Sequence, residues 1–174
     1  MNRIVATLAL LPVLAACTTP AATVAPDPTQ VPNVRAGYVD LPEPTRILDT
    51  AAAKRLKNNS GITLQWIGWD NRGNATVEVD DRGVWRLTGR QRSAPVGNAD
   101  APARLDVDGR IVEIGADYFI LSGSVLIDNT PDPGRYCLEE RGDWRFAVTG
   151  NRKYWRLREF EWCDELTDYV DVYF

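Results

Sequence analysis

The chain has 174 residues, with 24 acidic and 20 basic side chains, so its formal net charge is −4 at pH 7. This acidic balance argues against nucleic acid as a partner. The sequence contains no His, which excludes Ser-His-Asp and Cys-His catalysis and histidine zinc sites. We also predict no metal site and no cofactor and, in the main functional hypothesis below, no catalytic residue.

The first seventeen residues form a distinct leader. Arg3 supplies a basic start, residues 4–14 form an apolar run, and Leu14-Ala15-Ala16-Cys17 follows. This pattern resembles a bacterial lipoprotein signal with its lipobox, in which small residues precede the cut and the cysteine thiol accepts a diacylglyceryl group. The resemblance implies a signal peptide over residues 1–16 and lipidation of Cys17. The alternative is an ordinary secretory signal with a cysteine at this position by chance.

A lipidated Cys17 would tether the chain to a membrane, because two or more acyl chains give stable anchoring. In the sorting rule that belongs to this resemblance, Asp after the cysteine retains a lipoprotein in the inner membrane, and here Thr18 follows. The resemblance thus implies the periplasmic face of the outer membrane. Residues 17–44 are rich in Pro, Thr and Ala. We interpret them as an extended linker or, equally, as a solvated tail.

Residues 45–174 are predicted to form one domain, which is assigned to no family from its sequence. It opens with a helix over residues 45–59, where apolar residues recur at helical spacing. The helix is expected to pack over an opening or edge of a sheet. The apolar positions on its predicted inner side are Ile47, Leu48, Ala51, Ala52 and Leu56.

After Gly61 the hydrophobic period changes to two and turn residues become frequent, which is typical of an all-β domain. Asp108-Gly109 predicts a hairpin turn, and Gly123 predicts a bend or bulge in a strand over residues 118–128. A further strand is predicted over residues 152–162. The fold class is therefore a small antiparallel barrel or sandwich of about 8–10 short strands preceded by one short helix.

Cys137 and Cys163 are the two cysteines that remain once Cys17 is assigned to lipid. In an exported domain an even remainder predicts a disulfide. The pair encloses a dense aromatic block, so we expect it to staple the closing unit of the β domain. A redox pair is not expected, because the spacing differs from Cys-x-x-Cys.

The aromatic block suggests both the core and one candidate surface. Most of its rings are expected to fill the interior. Strand alternation places Tyr154, Arg156 and Arg158 on the side opposite Trp155, so these three residues are the candidate binding surface. Six nearby carboxylates are interpreted as members of ion pairs on a solvated face, and the alternative is glycoside hydrolysis by a carboxylate pair. They are Glu159, Glu161, Asp164, Glu165, Asp168 and Asp171.

These observations lead to one main functional hypothesis. The protein is expected to be a non-catalytic, lipid-anchored envelope protein that binds another envelope component, protein or glycan. The first alternative is a barrel that binds a small ligand in its interior, and the second is a carboxylate-dependent glycan hydrolase. A filled interior favours the main hypothesis over the first alternative.

Overall fold

The computed structural model describes residues 42–95 and 101–174. The predicted signal peptide, Cys17 and most of the predicted linker lie outside these residues. Within the described ranges the chain forms one short helix and nine strands. In chain order these are β1 (Arg46–Ile47), α1 (Thr50–Lys57), β2 (Ile62–Leu64), β3 (Asn74–Val79), β4 (Trp85–Pro95), β5 (Pro102–Ile114), β6 (Tyr118–Asp128), β7 (Tyr136–Ala147), β8 (Tyr154–Leu157) and β9 (Val170–Tyr173).

The strands form a nearly closed antiparallel barrel, in the order β2-β9-β8-β7-β6-β5-β4-β3. The two outermost strands of this order meet where Ile62 and Gly73 exchange backbone hydrogen bonds of 3.0 and 2.9 Å. β1 adds to β5 as a short parallel strand. The predicted all-β class and the single preceding helix are confirmed, and the barrel is the observed member of the two predicted architectures.

One end of the barrel, called here the helix end, is closed by α1. The Thr45 N–H donates to Gly83 O at 3.0 Å, which joins the entering chain to the β3–β4 turn. Arg55 Nη2 donates to Ala116 O at 2.7 Å, which joins α1 to the β5–β6 turn. The helix therefore packs where the sequence predicted, over an opening of the sheet.

The opposite end, called here the loop end, carries the connections 65–73, 129–135 and 158–169. Neighbouring strands run in opposite directions, so every second connection falls at the same end. A side-chain hydrogen bond of 2.6 Å from Gln65 Nε2 to Thr167 O joins two of these connections directly. The entering chain and the loop end thus lie at opposite ends of the barrel.

The helix is shorter than predicted and begins at Thr50. Asp49 caps it by accepting a hydrogen bond of 2.6 Å from the Ala52 N–H, which satisfies one of the unpaired donors of the first turn. The residues before it prefer strand pairing with β5. Ile47 and Leu48 are consequently exposed, and the buried face consists of Ala52, Ala53 and Leu56.

The core is built from large aromatic side chains, as the sequence predicted. Trp144, Phe146 and Trp155 from the aromatic block are fully buried together with Phe119. The Phe119 and Phe146 rings stack with centroids 4.7 Å apart, and Trp155 meets Phe119 edge-on at 5.8 Å. Each such side chain removed from water contributes roughly 1.5–3 kcal/mol to stability. The interior of the barrel is thus filled around these rings.

The prediction of a hairpin at Asp108-Gly109 is wrong. Both residues lie within β5, where Gly109 stands opposite Gly123 of β6. A Cβ atom on Gly109 would lie only 2.6 Å from Ser122 O, so the glycine serves a close approach of two strands. The register of β6 and β7 shifts between Leu121 and Gly123, which confirms the predicted irregularity at Gly123.

The predicted strand over residues 152–162 is also too long, because β8 ends at Leu157. The Arg158 N–H still donates to Arg145 O at 2.8 Å. The Arg145 N–H, however, donates to the Glu159 carboxylate at 3.0 Å. The Glu159 carboxylate therefore replaces the backbone carbonyl that would accept this hydrogen bond if the strand continued. The backbone pairing of β8 with β7 ends there.

The paired glycines give a test of this packing. Gly123→Ala would press a methyl group against the backbone of Asp108 and Gly109, so we expect it to lower the free energy of unfolding by about 1–3 kcal/mol in urea denaturation. Gly142→Ala is the matched control, because a Cβ there meets nothing within 4 Å. Equal stability of the two variants would contradict the close-approach explanation.

Candidate binding surface

A row of polar side chains crosses the outer face of three short strands. Thr63 of β2 stands opposite Asp171 of β9, which stands opposite Arg156 of β8. Arg156 donates from Nε to Asp171 Oδ1 and from Nη2 to Asp171 Oδ2, both at 2.7 Å. This two-point geometry is the strongest arrangement available to an arginine and a carboxylate.

The ion pair lies out of solvent although it sits on the outside of the barrel. The side chains of Arg156 and Asp171 are 11% and 0% exposed. Burial raises the pKa of Asp171, and the two hydrogen bonds from Arg156 oppose that rise. The same hydrogen bonds raise the pKa of Arg156.

Aromatic rings supply the cover over Arg156. Its guanidinium carbon lies 3.9 Å from the ring centroid of Tyr169, 5.2 Å from that of Tyr154 and 5.5 Å from that of Trp69. Such cation–π contacts stabilise a desolvated guanidinium. The rings therefore replace the water that an exposed arginine would bind.

A second row of rings and guanidinium groups lies beside the first. The guanidinium carbon of Arg72 is 4.0 Å from the Tyr173 ring centroid, and that of Arg152 is 5.8 Å from the Tyr154 centroid. The rings of Tyr154 and Tyr173 are 5.3 Å apart. Arginines and aromatic rings thus alternate over the outside of β8 and β9.

Trp66 and Trp69 are both partly exposed, at 39% and 41%, on the connection between β2 and β3. The buried amide of Gln91 fixes this connection. Its Oε1 accepts from the Leu64 N–H at 2.6 Å, and its Nε2 donates to Gly68 O at 2.9 Å. The two indoles are consequently held in place.

Arg135 joins Trp66 to the rest of the loop end. The arginine donates to both oxygens of Asp168, at 3.0 and 2.8 Å, and to Thr130 O at 3.0 Å. Asp168 in turn accepts from Trp66 Nε1 at 2.9 Å. Arg135 also pairs with Asp164 and holds the pKa of that carboxyl below its ordinary value.

We call the resulting patch the arginine–aromatic surface. Its members share either a cation–π contact or an exposed ring on the outside of β8, β9 and the β2–β3 connection. They are Trp66, Trp69, Arg72, Arg152, Tyr154, Arg156, Tyr169 and Tyr173.

The structure brings two of the three predicted surface residues together. Arg156 Nη2 lies 3.3 Å from the Tyr154 hydroxyl, but Arg156 is not the exposed arginine that the sequence predicted, because Asp171 and three rings cover it. Arg158 is exposed and donates instead to Thr149 Oγ1 at 3.3 Å. Since β8 ends before it, strand alternation no longer determines its direction.

Sequence reasoning missed Trp66, Trp69 and Arg72, because nothing in the local pattern links them to β8. Two tryptophans three residues apart, next to a turn and to an arginine, were the available signal. Period-two alternation with Ile62 and Leu64 favours an inward position for Trp66. The chain turns after Leu64, and the indole is left at the surface.

The interpretation of the acidic tail as a solvated face is wrong for two of its members. Asp168 and Asp171 are both fully buried, and each accepts hydrogen bonds from an arginine on both carboxylate oxygens. Burial of a carboxylate is tolerated only when it is paired in this way. These two aspartates therefore hold the structure of the surface.

Cys137 and Cys163 lie at disulfide distance, with 6.0 Å between their Cα atoms, which supports the predicted bridge. The two sulfur atoms and the Asp164 carboxylate lie within 4.8 Å of one another. Cysteine binds metals as a free thiolate, so sulfur atoms bonded to each other do not offer this group of residues as a metal site. The bridge ties the connection 158–169 to the start of β7.

Comparison of the sequence with known proteins assigns the domain to a family. The sequence profile of the PM1083 family matches residues 44–174. The chain belongs to the PM1083 family. It is also similar to an uncharacterized protein, PM1083, of Pasteurella multocida (strain Pm70), with 34% identity over 115 residues, which cover 65% of this chain and 69% of that protein. No solved structure matches the chain.

The buried ion pair gives a test of how the surface is held. Arg156→Met leaves Asp171 buried without its partner, so we expect a loss of roughly 3–5 kcal/mol in the free energy of unfolding. The double variant Arg156→Met with Asp171→Leu removes both charges and should regain most of that loss in urea denaturation. A double variant no more stable than the single one would show that the pair does not act as a unit.

Proposed function

We propose that this member of the PM1083 family is a non-catalytic, lipid-anchored protein of the bacterial envelope. It binds another envelope component, protein or glycan, through the arginine–aromatic surface. The observation that carries the proposal is the pair of partly exposed indoles, Trp66 and Trp69, on a connection fixed by buried side chains.

Binding is supported by the energetic cost of keeping two indoles partly exposed on a fixed connection. Partly exposed indoles leave apolar area in water, and a buried Gln91 amide and a buried Asp168 carboxylate hold the connection that carries them. Trp, Tyr and Arg are the residues that dominate binding energy in protein interfaces. Rigid rings also lose little conformational entropy when a partner docks.

The filled core favours a surface function over ligand binding inside the barrel. Trp144, Trp155, Phe119 and Phe146 are fully buried and occupy the interior, whereas a ligand site there would require a cavity lined with a few polar groups. A hydrolytic function is disfavoured for Asp168 and Asp171, whose oxygens are engaged by arginines.

Anchoring is supported by the resemblance of Leu14-Ala15-Ala16-Cys17 to a lipobox and by the point at which the chain enters the barrel. Thr45 joins the helix end, and the arginine–aromatic surface extends from β8 and β9 to the loop end. A tether attached through residues before Thr45 therefore leaves Trp66 and Trp69 on the side away from its attachment. In the described part of the chain, no helix has the length and apolar character needed to cross a membrane.

Lipid attachment is tested at Cys17. Cys17→Ser removes the acceptor thiol, so we expect loss of palmitate labelling and release of the protein from the membrane fraction of a bacterial host. Thr18→Ser is the matched control and should keep both properties. Labelling and membrane association that survive Cys17→Ser would overturn the anchoring proposal.

Binding is tested by photo-crosslinking in living cells. A photoreactive phenylalanine analogue at Trp69 should trap an envelope component, because this ring is exposed on a fixed connection. The same analogue at Val79, which is similarly exposed at 39% but lies at the helix end, is the control. Absence of any specific product from Trp69, or equal products from both positions, would contradict a binding role for the surface.

A further inference from the structure

We propose that the component bound by the arginine–aromatic surface is an anionic saccharide. Its sugar rings stack on the exposed faces of Trp66 and Trp69, and its carboxylates pair with Arg72 and Arg152. This inference rests on the proposed binding function and names the chemistry of the partner.

The first observation is the charge of the surface. The chain as a whole is acidic, with a net charge of −4. On this surface Arg156 is paired with Asp171 and the Asp168 carboxylate beneath Trp66 is paired with Arg135. Arg72 and Arg152 then stand against one exposed carboxylate, that of Asp70, which follows Trp69 in the chain. Within residues 42–95 and 101–174, neither Arg72 nor Arg152 forms an ion pair. A local excess of positive charge on an acidic protein favours an anionic partner.

The arginines on another part of the barrel provide a contrast. Across β4, β5 and β6, outward arginines pair with aspartates in the same sheet: Arg86 with Asp108 at 2.5 Å, Arg92 with Asp106 at 2.8 Å, and Arg104 with Asp128 at 2.9 Å. Most outward arginines of that face are thus neutralised, although Arg110 of β5 forms no ion pair. Within residues 42–95 and 101–174, Arg55, Arg145 and Arg158 also form no ion pair, and Arg72 and Arg152 are the two such arginines that lie over the rings of Tyr173 and Tyr154.

The second observation is that the guanidinium groups of Arg72 and Arg152 lie over aromatic rings. Arg72 lies over Tyr173 and also donates to Ser60 Oγ at 3.0 Å. Ring contact leaves the donors at the edge of a guanidinium group available, and those donors match the two oxygens of a carboxylate. Less side-chain entropy is then lost when the anion binds.

The third observation concerns the exposed indoles. The Trp66 N–H is used by buried Asp168, so the part of this side chain that remains for a partner is its apolar ring. The face of an aromatic ring is electronegative, and it therefore attracts the C–H groups that line one side of a sugar ring. Exposed rings at the loop end, with guanidinium groups that form no ion pair farther along the same surface, match a chain of sugars that carries carboxylates.

The test uses the full-length lipidated protein in detergent micelles and three polymers. Purified peptidoglycan sacculi carry carboxylates on the peptide stems that branch from chains of N-acetylated sugars, chitin carries N-acetylated sugars without carboxylates, and single-stranded DNA carries phosphates without such sugars. We expect the protein to sediment with sacculi, and its affinity to fall as salt rises from about 0.05 to 0.3 M because surface charges are screened. Binding to chitin should be weaker by tenfold or more.

Single substitutions then assign the binding to the surface. Arg72→Gln and Trp69→Ala should each lower the affinity for sacculi by roughly tenfold or more, and Arg72→Gln should also weaken the salt dependence. Arg86→Gln, which removes an arginine from the paired face, is the matched control and should bind as the original chain does. Thermal unfolding of each variant checks that it is folded.

Several outcomes would overturn the inference. These are equal affinity for chitin and sacculi, tighter binding to single-stranded DNA, or an equal loss in Arg86→Gln. Crosslinking from Trp69 to a protein, without sedimentation on sacculi, would reject the saccharide and leave the proposed binding function standing. Absence of both crosslinking and sedimentation would reject both proposals.

Discussion

The loop end of the barrel depends on one buried guanidinium group. Arg135 is 5% exposed and contacts its own turn through Thr130 O, the connection 158–169 through Asp164 and Asp168, and, through Asp168, the indole of Trp66. Three connections far apart in sequence therefore converge on one planar cation. Its fixed fork of donors is suited to this task, since an ammonium group could not present the same directions.

Buried charges of this kind are costly to desolvate. Their contribution is to favour one relative position of the connections over all others. An apolar contact tolerates sliding, whereas a two-point hydrogen-bonded pair such as Arg135 with Asp168 does not. The same holds for Arg156 with Asp171, which fixes two strands of only four residues each. Strands this short have few backbone hydrogen bonds, so the side-chain pair supplies alignment that longer strands obtain from their ladders.

Much of the fold could be predicted from the sequence, because it follows from local patterns. Alternating apolar residues determine the inward faces of β4 to β7, and the irregularity at Gly123 is a property of one glycine. The prediction failed where the local conformation depends on residues that are distant in the sequence. Asp108-Gly109 has the composition of a hairpin turn, and only its position opposite Gly123 shows that the glycine serves close packing.

The candidate site was harder to predict for the same reason. Tyr154 and Arg156 follow from alternation along β8. Part of the cover over Arg156, however, comes from Trp69, which lies more than eighty residues earlier in the chain. The burial of Arg156 likewise depends on Asp171, whose role is invisible in an acidic tail. The exposed or buried state of a charged residue on a short strand is a property of the assembled barrel.

The closure of the barrel has a consequence for how binding and stability are linked. β2 and the residue just before β3 are joined by a single bridge between Ile62 and Gly73. We call this contact the seam, because it has the fewest paired backbone residues between neighbouring strands of the described barrel. The connection between these two strands, residues 65–73, also carries Trp66 and Trp69. A partner that holds those indoles therefore also restrains the seam, and occupancy of the surface becomes coupled to protection of the barrel from local opening.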